Sequence, residues 1–150
     1  MLEFGIVLTT LALAVWVGSI VFQTAVVAPS VFTTLDIDDA GRFLRGLFPR
    51  FFTAGTVCGV VMLLGLAGIY FDGSSDQRLL TLGATTGLML VLQITAGRMV
   101  PAINAARDQG EAGKRRFGQL HGINVGLTVI VLLLGLFLLS GLALAVVDAA

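Results

Sequence analysis

From Ile123 to Val147 the chain reads INVGLTVIVLLLGLFLLSGLALAVV, twenty-five residues without one charged side chain. A helix of about 20 apolar residues, rising 1.5 Å per residue, already crosses the roughly 30 Å of hydrocarbon in a bilayer. Three more stretches meet the same test: Phe4–Ala28, Phe51–Phe71 and Leu79–Val100. Of the four, only Leu79–Val100 carries a charge, Arg98 near its end.

Composition points the same way. Apolar residues make up 57% of the 150, charged residues 12%, and the mean hydropathy is +0.99. A soluble domain carries about 25% charged residues, so half that supply cannot cover a water-facing surface. The reading is an all-α integral membrane four-helix bundle, with residues 1–150 as a single transmembrane domain. With a net charge of zero and a pI of about 6.5, nothing suggests a nucleic-acid partner, and none is expected. Cys58, the one cysteine, excludes an intrachain disulfide, and no zinc-type Cys/His spacing exists. The first segment is expected to be retained. Its flank holds Glu3 where a signal peptide has basic residues, its apolar run is too long, and Pro29 follows Ala28.

Orientation follows from the basic residues. Arg42, Arg45 and Arg50 lie between segments one and two; Arg98, Arg107, Lys114, Arg115 and Arg116 lie at the end of segment three and beyond. Only Arg78 of the 9 basic residues falls on the other side. Basic loops stay cytoplasmic, so both termini are expected outside. For a chain of this kind that means a bacterial inner (plasma) membrane. The bilayer itself is the expected partner, with a homo-oligomer or the subunits of a membrane complex as others.

Both inside loops read as amphipathic. Phe43, Leu44, Leu47, Phe48 and Phe51 recur at helical spacing with arginines between them, predicting a short helix lying at the membrane surface. Asp36, Asp38 and Asp39 suit its N-terminus. Pro49 is expected to open the second membrane helix, where a proline loses no hydrogen bond. The second inside loop is read from Pro101 through Ile103 to Arg107, pausing near Gly110 and resuming through Phe117 and Leu120. A weak two-crossing repeat, 1–75 against 76–150, pairs Gln23 and Pro29 with Gln93 and Pro101. Three glycine pairs four residues apart, Gly55/Gly59, Gly83/Gly87 and Gly122/Gly126, predict close helix packing, within the chain or between chains.

The polar residues inside the apolar stretches are few: Gln23, Gln93, Arg98 and Asn124, with His121 just before the fourth. Given the orientation, all fall within roughly 5–8 Å of the cytoplasmic boundary at helical rise. One explanation is interhelical hydrogen bonding, with Arg98 reaching for headgroups. The other is a cytoplasm-facing polar cavity for a small solute, ion or lipid headgroup, with Arg98 and His121 at its mouth. With one histidine, a haem held by two within the chain is excluded; His121–Met99 or Cys58–Met62 remain imaginable as metal ligands. Trp16, near mid-membrane, reads as a packing residue. No phosphate loop, nucleophile elbow or paired acid/base carboxylates are present, so no resident cofactor is expected and the reading leans away from an enzyme without settling it. The alternatives to a small transport, channel-like or membrane-maintenance component are two. One is a metal- or cofactor-binding, redox-active protein using His121; the other is a non-catalytic subunit of a larger complex.

Several of these residues together resemble the transmembrane-protein-205-like family. They are Trp16-x-Gly18-x-x-x-Phe22, Pro29, Leu47-Phe48-Pro49-x-Phe51-Phe52, Arg98 with Pro101, and Phe117-x-x-Leu120-His121-Gly122 with Asn124. The resemblance implies a four-helix membrane domain of unassigned function and singles out Pro49, His121 and Asn124. A more distant likeness to copper-resistance-type membrane domains keeps metal handling among the expectations.

Overall fold

The computed structural model describes residues 2–73 and 77–148, with side chains up to Leu144 in the last helix. Ser74, Ser75 and Asp76, which belong to the polar turn expected outside, lie beyond the described residues. Helix α1 (Leu2–Phe22) passes through a π-helical turn (Gln23–Val27) into α2 (Ala28–Thr34). Then come α3 (Ile37–Phe71), α4 (Gln77–Asp108), a 3₁₀ turn (Gly110–Gly113) and α5 (Lys114–Asp148). Four helical units of 32 to 35 residues are long and apolar enough to cross a membrane. Each measures about 50 Å at helical rise, well beyond the hydrocarbon thickness.

The units form a four-helix bundle. Helix α3 lies between α1 and α4, and α5 lies between α4 and α1, so α1 faces α4 across one diagonal. Leu13, Trp16, Met62, Met89 and Val131 meet at the centre with no exposed surface. The outside is apolar on every unit: Phe4 is 71% exposed, Leu64 65%, Val91 61% and Leu133 60%. Such a surface is stable facing lipid and not water. The chain is an integral membrane protein.

The basic stretches are helical but are not separate interfacial helices. Residues 42–51 lie within α3, and Pro49 sits in its interior, not at its first position. Pro101 likewise lies inside α4. A proline within a helix costs one backbone bond, but a continuous packed face offsets it. Gly41, Leu44, Phe52, Gly55, Gly59 and Met62 are buried along one stripe of α3, on both sides of Pro49. The start of α3 is capped as its acidic residues suggest: the Asp36 side chain accepts from the Asp39 N–H at 2.9 Å.

Pro29 does not end the first helix either. One turn earlier the backbone widens, and Ala28 N–H donates to the Gln23 carbonyl, five residues back. A π turn next to a proline absorbs the ring's clash with the preceding turn and bends the helix axis. Thr24 Oγ1 takes up the Ile20 carbonyl at 2.8 Å. The chain then folds back through Leu35 and Asp36, so Val31 packs on Ala40 and Leu44. At the end of α4, Gly110 turns the chain with φ +58, as its position suggested.

The glycine pairs divide. A Cβ at Gly59 would sit 2.8 Å from Leu90 and 3.0 Å from the Trp16 ring, and one at Gly55 would strike Gln93 and Trp16. Gly83, Gly87, Gly122 and Gly126 have nothing within 4 Å of that position. They make no close helix contact within the chain, because their faces of α4 and α5 point out of the bundle. Other glycines hold the contacts instead. A Cβ on Gly5 would meet the Gly65 carbonyl at 2.8 Å, and one on Gly135 would meet Val17 at 2.5 Å.

Candidate functional site

Below Trp16, toward the arginine-rich end, the helices separate. A cleft of about 520 Å³ opens between α1–α2 and α5, floored by α3 and α4. No residue of α2 comes near α5, whereas α1 and α5 do approach each other. A lateral gap between α2 and α5 is therefore part of the opening. Ile20, Phe32, Phe51, Phe52, Val125 and Leu132 give it a mainly apolar wall, while Gln23, Asn104, Arg45, Arg107, His121 and Asn124 supply its polar groups.

The structure splits the polar set that the sequence grouped. Gln23, in the π turn, His121 and Asn124 all line the cleft. His121 lies face to face with Phe117, their ring centres 5.5 Å apart and their planes tilted by 4°. Asn124 is buried and donates to the Ala96 carbonyl at 2.7 Å, tying α5 to α4. Gln93 sits deeper, wholly buried over Gly55, where its Nε2 makes a long 3.4 Å bond to the Phe52 carbonyl. Its Oε1 and the Trp16 indole N–H have no protein partner.

Arg98 is not at the mouth. The face of α4 turned inward carries Gln93, Ala96, Val100, Ile103 and Ala106. Arg98 is two residues from Ala96 and from Val100, about 200° round the helix, and is exposed. Arg107, seven residues beyond Val100, falls on the inward face and takes the place expected for Arg98. Its Nη2 donates to the Ile37 carbonyl at 3.0 Å, and its guanidinium fills the space that a Cβ on Gly41 would need, 2.5 Å away. Arg45 forms a two-pronged ion pair with Asp108, one bond at 3.1 Å. Asp108 lies past the apolar part of α4, and the Arg45 hydrogen bonds hold its carboxyl below the usual carboxylate range. Arg42 pairs with Asp39.

A smaller cavity of about 360 Å³, lined by Asp38, Gly41, Arg42, Arg45 and Arg107, adjoins the cleft. Arg45, Arg107 and Gly41 belong to both, so the two guanidiniums stand at the junction. The sequence reading missed Asn104 and the role of Arg107 for one reason. It ended the helix at Pro101, so the seven-residue step Gln93, Val100, Arg107 was not followed.

The two imagined soft-metal pairs lie in different places. Met62 is buried in the core against Trp16 with Cys58 beside it, and Met99 lies outside the cleft wall that holds His121. Among the described residues no group of three or more His, Cys, Asp or Glu could hold a metal ion.

A bundle of four apolar helical units with a lateral cleft at its basic end defines a polytopic membrane protein. Over residues 11–112 the chain matches the domain of unknown function DUF4149, and it belongs to that family. An uncharacterized protein of Aquifex aeolicus (strain VF5) is 27% identical over 115 residues, covering 77% of this chain and 79% of that protein. No solved structure matches. The match carries no other family name, so it leaves the transmembrane-protein-205-like resemblance of the motifs unconfirmed, and the matched stretch ends before Phe117–Asn124.

Proposed function

We propose that this chain is a non-enzymatic component of a bacterial inner membrane, in transport or membrane maintenance, whose cleft is a ligand site open to the cytoplasmic side. The observation that carries the reading is how the polar residues are spent. Gln93 reaches α3 through a long bond to the Phe52 carbonyl, and among the described residues no hydrogen bond joins any two of Gln23, Gln93, His121 and Asn124. Asn124 does hold two helices together through a backbone carbonyl. Gln23 and His121 instead face the cleft. The eight basic residues gathered at that end support the cytoplasmic placement, and the motifs shared with the transmembrane-protein-205-like family support a common role.

Cysteine accessibility tests both parts in a Cys58→Ser background. A cysteine at Gln109 should react with an impermeant thiol reagent only in inverted vesicles, and cysteines at Ser74 and Ala149 only in intact cells. In delipidated detergent solution Thr128→Cys, on the cleft wall, should react far faster than Val131→Cys, one turn deeper in the core. Equal silence at both positions would mean a closed, dry interior and would end the ligand-site reading.

A further inference from the structure

We propose that the cleft takes an alkyl chain of an anionic phospholipid, whose phosphate is held by Arg107 and Arg45; this rests on the cleft being a ligand site. The shape selects a lipid. The gap between α2 and α5 is lateral, so it admits an occupant from within the leaflet. Between Ile20, Phe51, Val125 and Leu132 there is little for a water-soluble anion to bond, and filling that space with water leaves apolar walls wetted.

The charge selects the headgroup. Two of the three arginines on the wall of the smaller cavity have a carboxylate: Arg42 has Asp39, and Arg45 has Asp108. Arg107 donates only to the Ile37 carbonyl; Asp108 feels its charge but bonds to Arg45, and among the described residues no carboxylate is in direct contact with Arg107. A guanidinium has five N–H donors in a planar fork suited to phosphate, so most of those of Arg107 remain for a ligand. Gly41 makes this placement possible, because a side chain there would push the guanidinium out of the junction. The adjoining cavity of about 360 Å³, with three arginines to one aspartate on its wall, gives an anionic head room beyond the cleft.

Discrimination must come from that end. Lipid tails are as apolar as the cleft wall, so moving a chain from bilayer to cleft gains little. A zwitterionic lipid brings its own cation to the arginines and forfeits part of the attraction.

Trp16, the only tryptophan, reports on the chain's end of the cleft, one helical turn from Ile20. The protein is reconstituted with chain-brominated phosphatidylglycerol or chain-brominated phosphatidylcholine, and quenching of Trp16 is followed against mole fraction. Phosphatidylglycerol should reach half-quenching at about fivefold lower mole fraction, the factor expected from one arginine beside an anionic headgroup. Arg107→Gln should remove the preference, and Arg98→Gln, on the outer face of the same helix, should keep it. Equal quenching of the wild type by the two lipids overturns the proposal without any variant. Arg98→Gln acting like Arg107→Gln overturns it too, by showing a general surface charge effect. Thr128→Cys reactive in delipidated detergent solution with equal quenching would refute the lipid and leave the ligand site standing; Thr128→Cys unreactive even there would refute both.

Discussion

The bundle near the Asp72–Gly73 turn and the bundle near Gly110 are made by the same four helical units, yet one half is closed and the other is open. In the closed half, backbones touch: Gly5 and Gly65 bring α1 against α3, and Gly135 admits Val17 of α1 onto α5. Leu13, Met62, Met89 and Val131 fill what remains. In the open half, large rings stand where the glycines stood. Phe48, Phe51 and Phe52 on α3 and Phe117 on α5 line the cleft, and the π turn before Pro29 steers α2 toward α3 and away from α5. Small residues let helices in lipid approach closely; aromatic wedges and a bent helix keep them apart. The cleft thus lies where aromatic rings on α3 and α5 and the bent α1–α2 unit hold the helices apart.

The contrast can be broken most forcefully in the closed half. Gly65→Leu places a side chain where even a Cβ would lie 2.5 Å from Thr9 Oγ1 and 3.0 Å from the Gly5 backbone. Backbone cannot yield as a side chain can, so the loss should reach about 3 kcal/mol, the upper part of the overpacking range. Gly59→Leu, pressing on Leu90 and Trp16, should cost about 2 kcal/mol by the same reasoning. Gly126→Leu should leave thermal stability in detergent unchanged. A large loss at Gly126 would place the open glycine face of α5 against another chain; no loss at Gly65 would deny that backbone contact holds the closed half together.

A smaller effect sharpens the comparison at the boundary between the halves. Asn124→Leu removes a 2.7 Å bond to the Ala96 carbonyl and should cost about 1 kcal/mol, typical of interhelical bonds in membranes. Gln93→Leu removes only a long bond and an unpartnered Oε1, so its melting temperature should match the wild type or exceed it. The reverse order would make Gln93 the stronger tie, with a buried water joining it to Trp16.

The smallest effect belongs to the open end. Arg45 and Asp108 are both well exposed, and exposed ion pairs are screened and weak. Asp108→Asn should leave the melting temperature within error at physiological salt. A marked, salt-sensitive drop would show that the pair clamps α3 to α4.

The sequence by itself determined the class of protein: four charge-poor stretches near or beyond the bilayer's thickness, with too little charge for a water-facing surface, leave a helical membrane bundle as the outcome. It also located the polar end, the Asp36 cap and the Gly110 turn, because each depends on neighbours within a few residues. Which face of each helix turns inward was decided only by the tertiary structure. Gly55 and Gly122 carry the same spacing motif, yet one meets Trp16 and Gln93 and the other meets nothing. Arg98 and Arg107 lie on one helix, but only Arg107 shares the stripe of Gln93 and Val100. That assignment depends on the helix running unbroken through Pro101, and on the contacts across the bundle that offset the lost hydrogen bond. No local pattern encodes it, since a proline's cost is local while the burial that outweighs it comes from residues far along the chain.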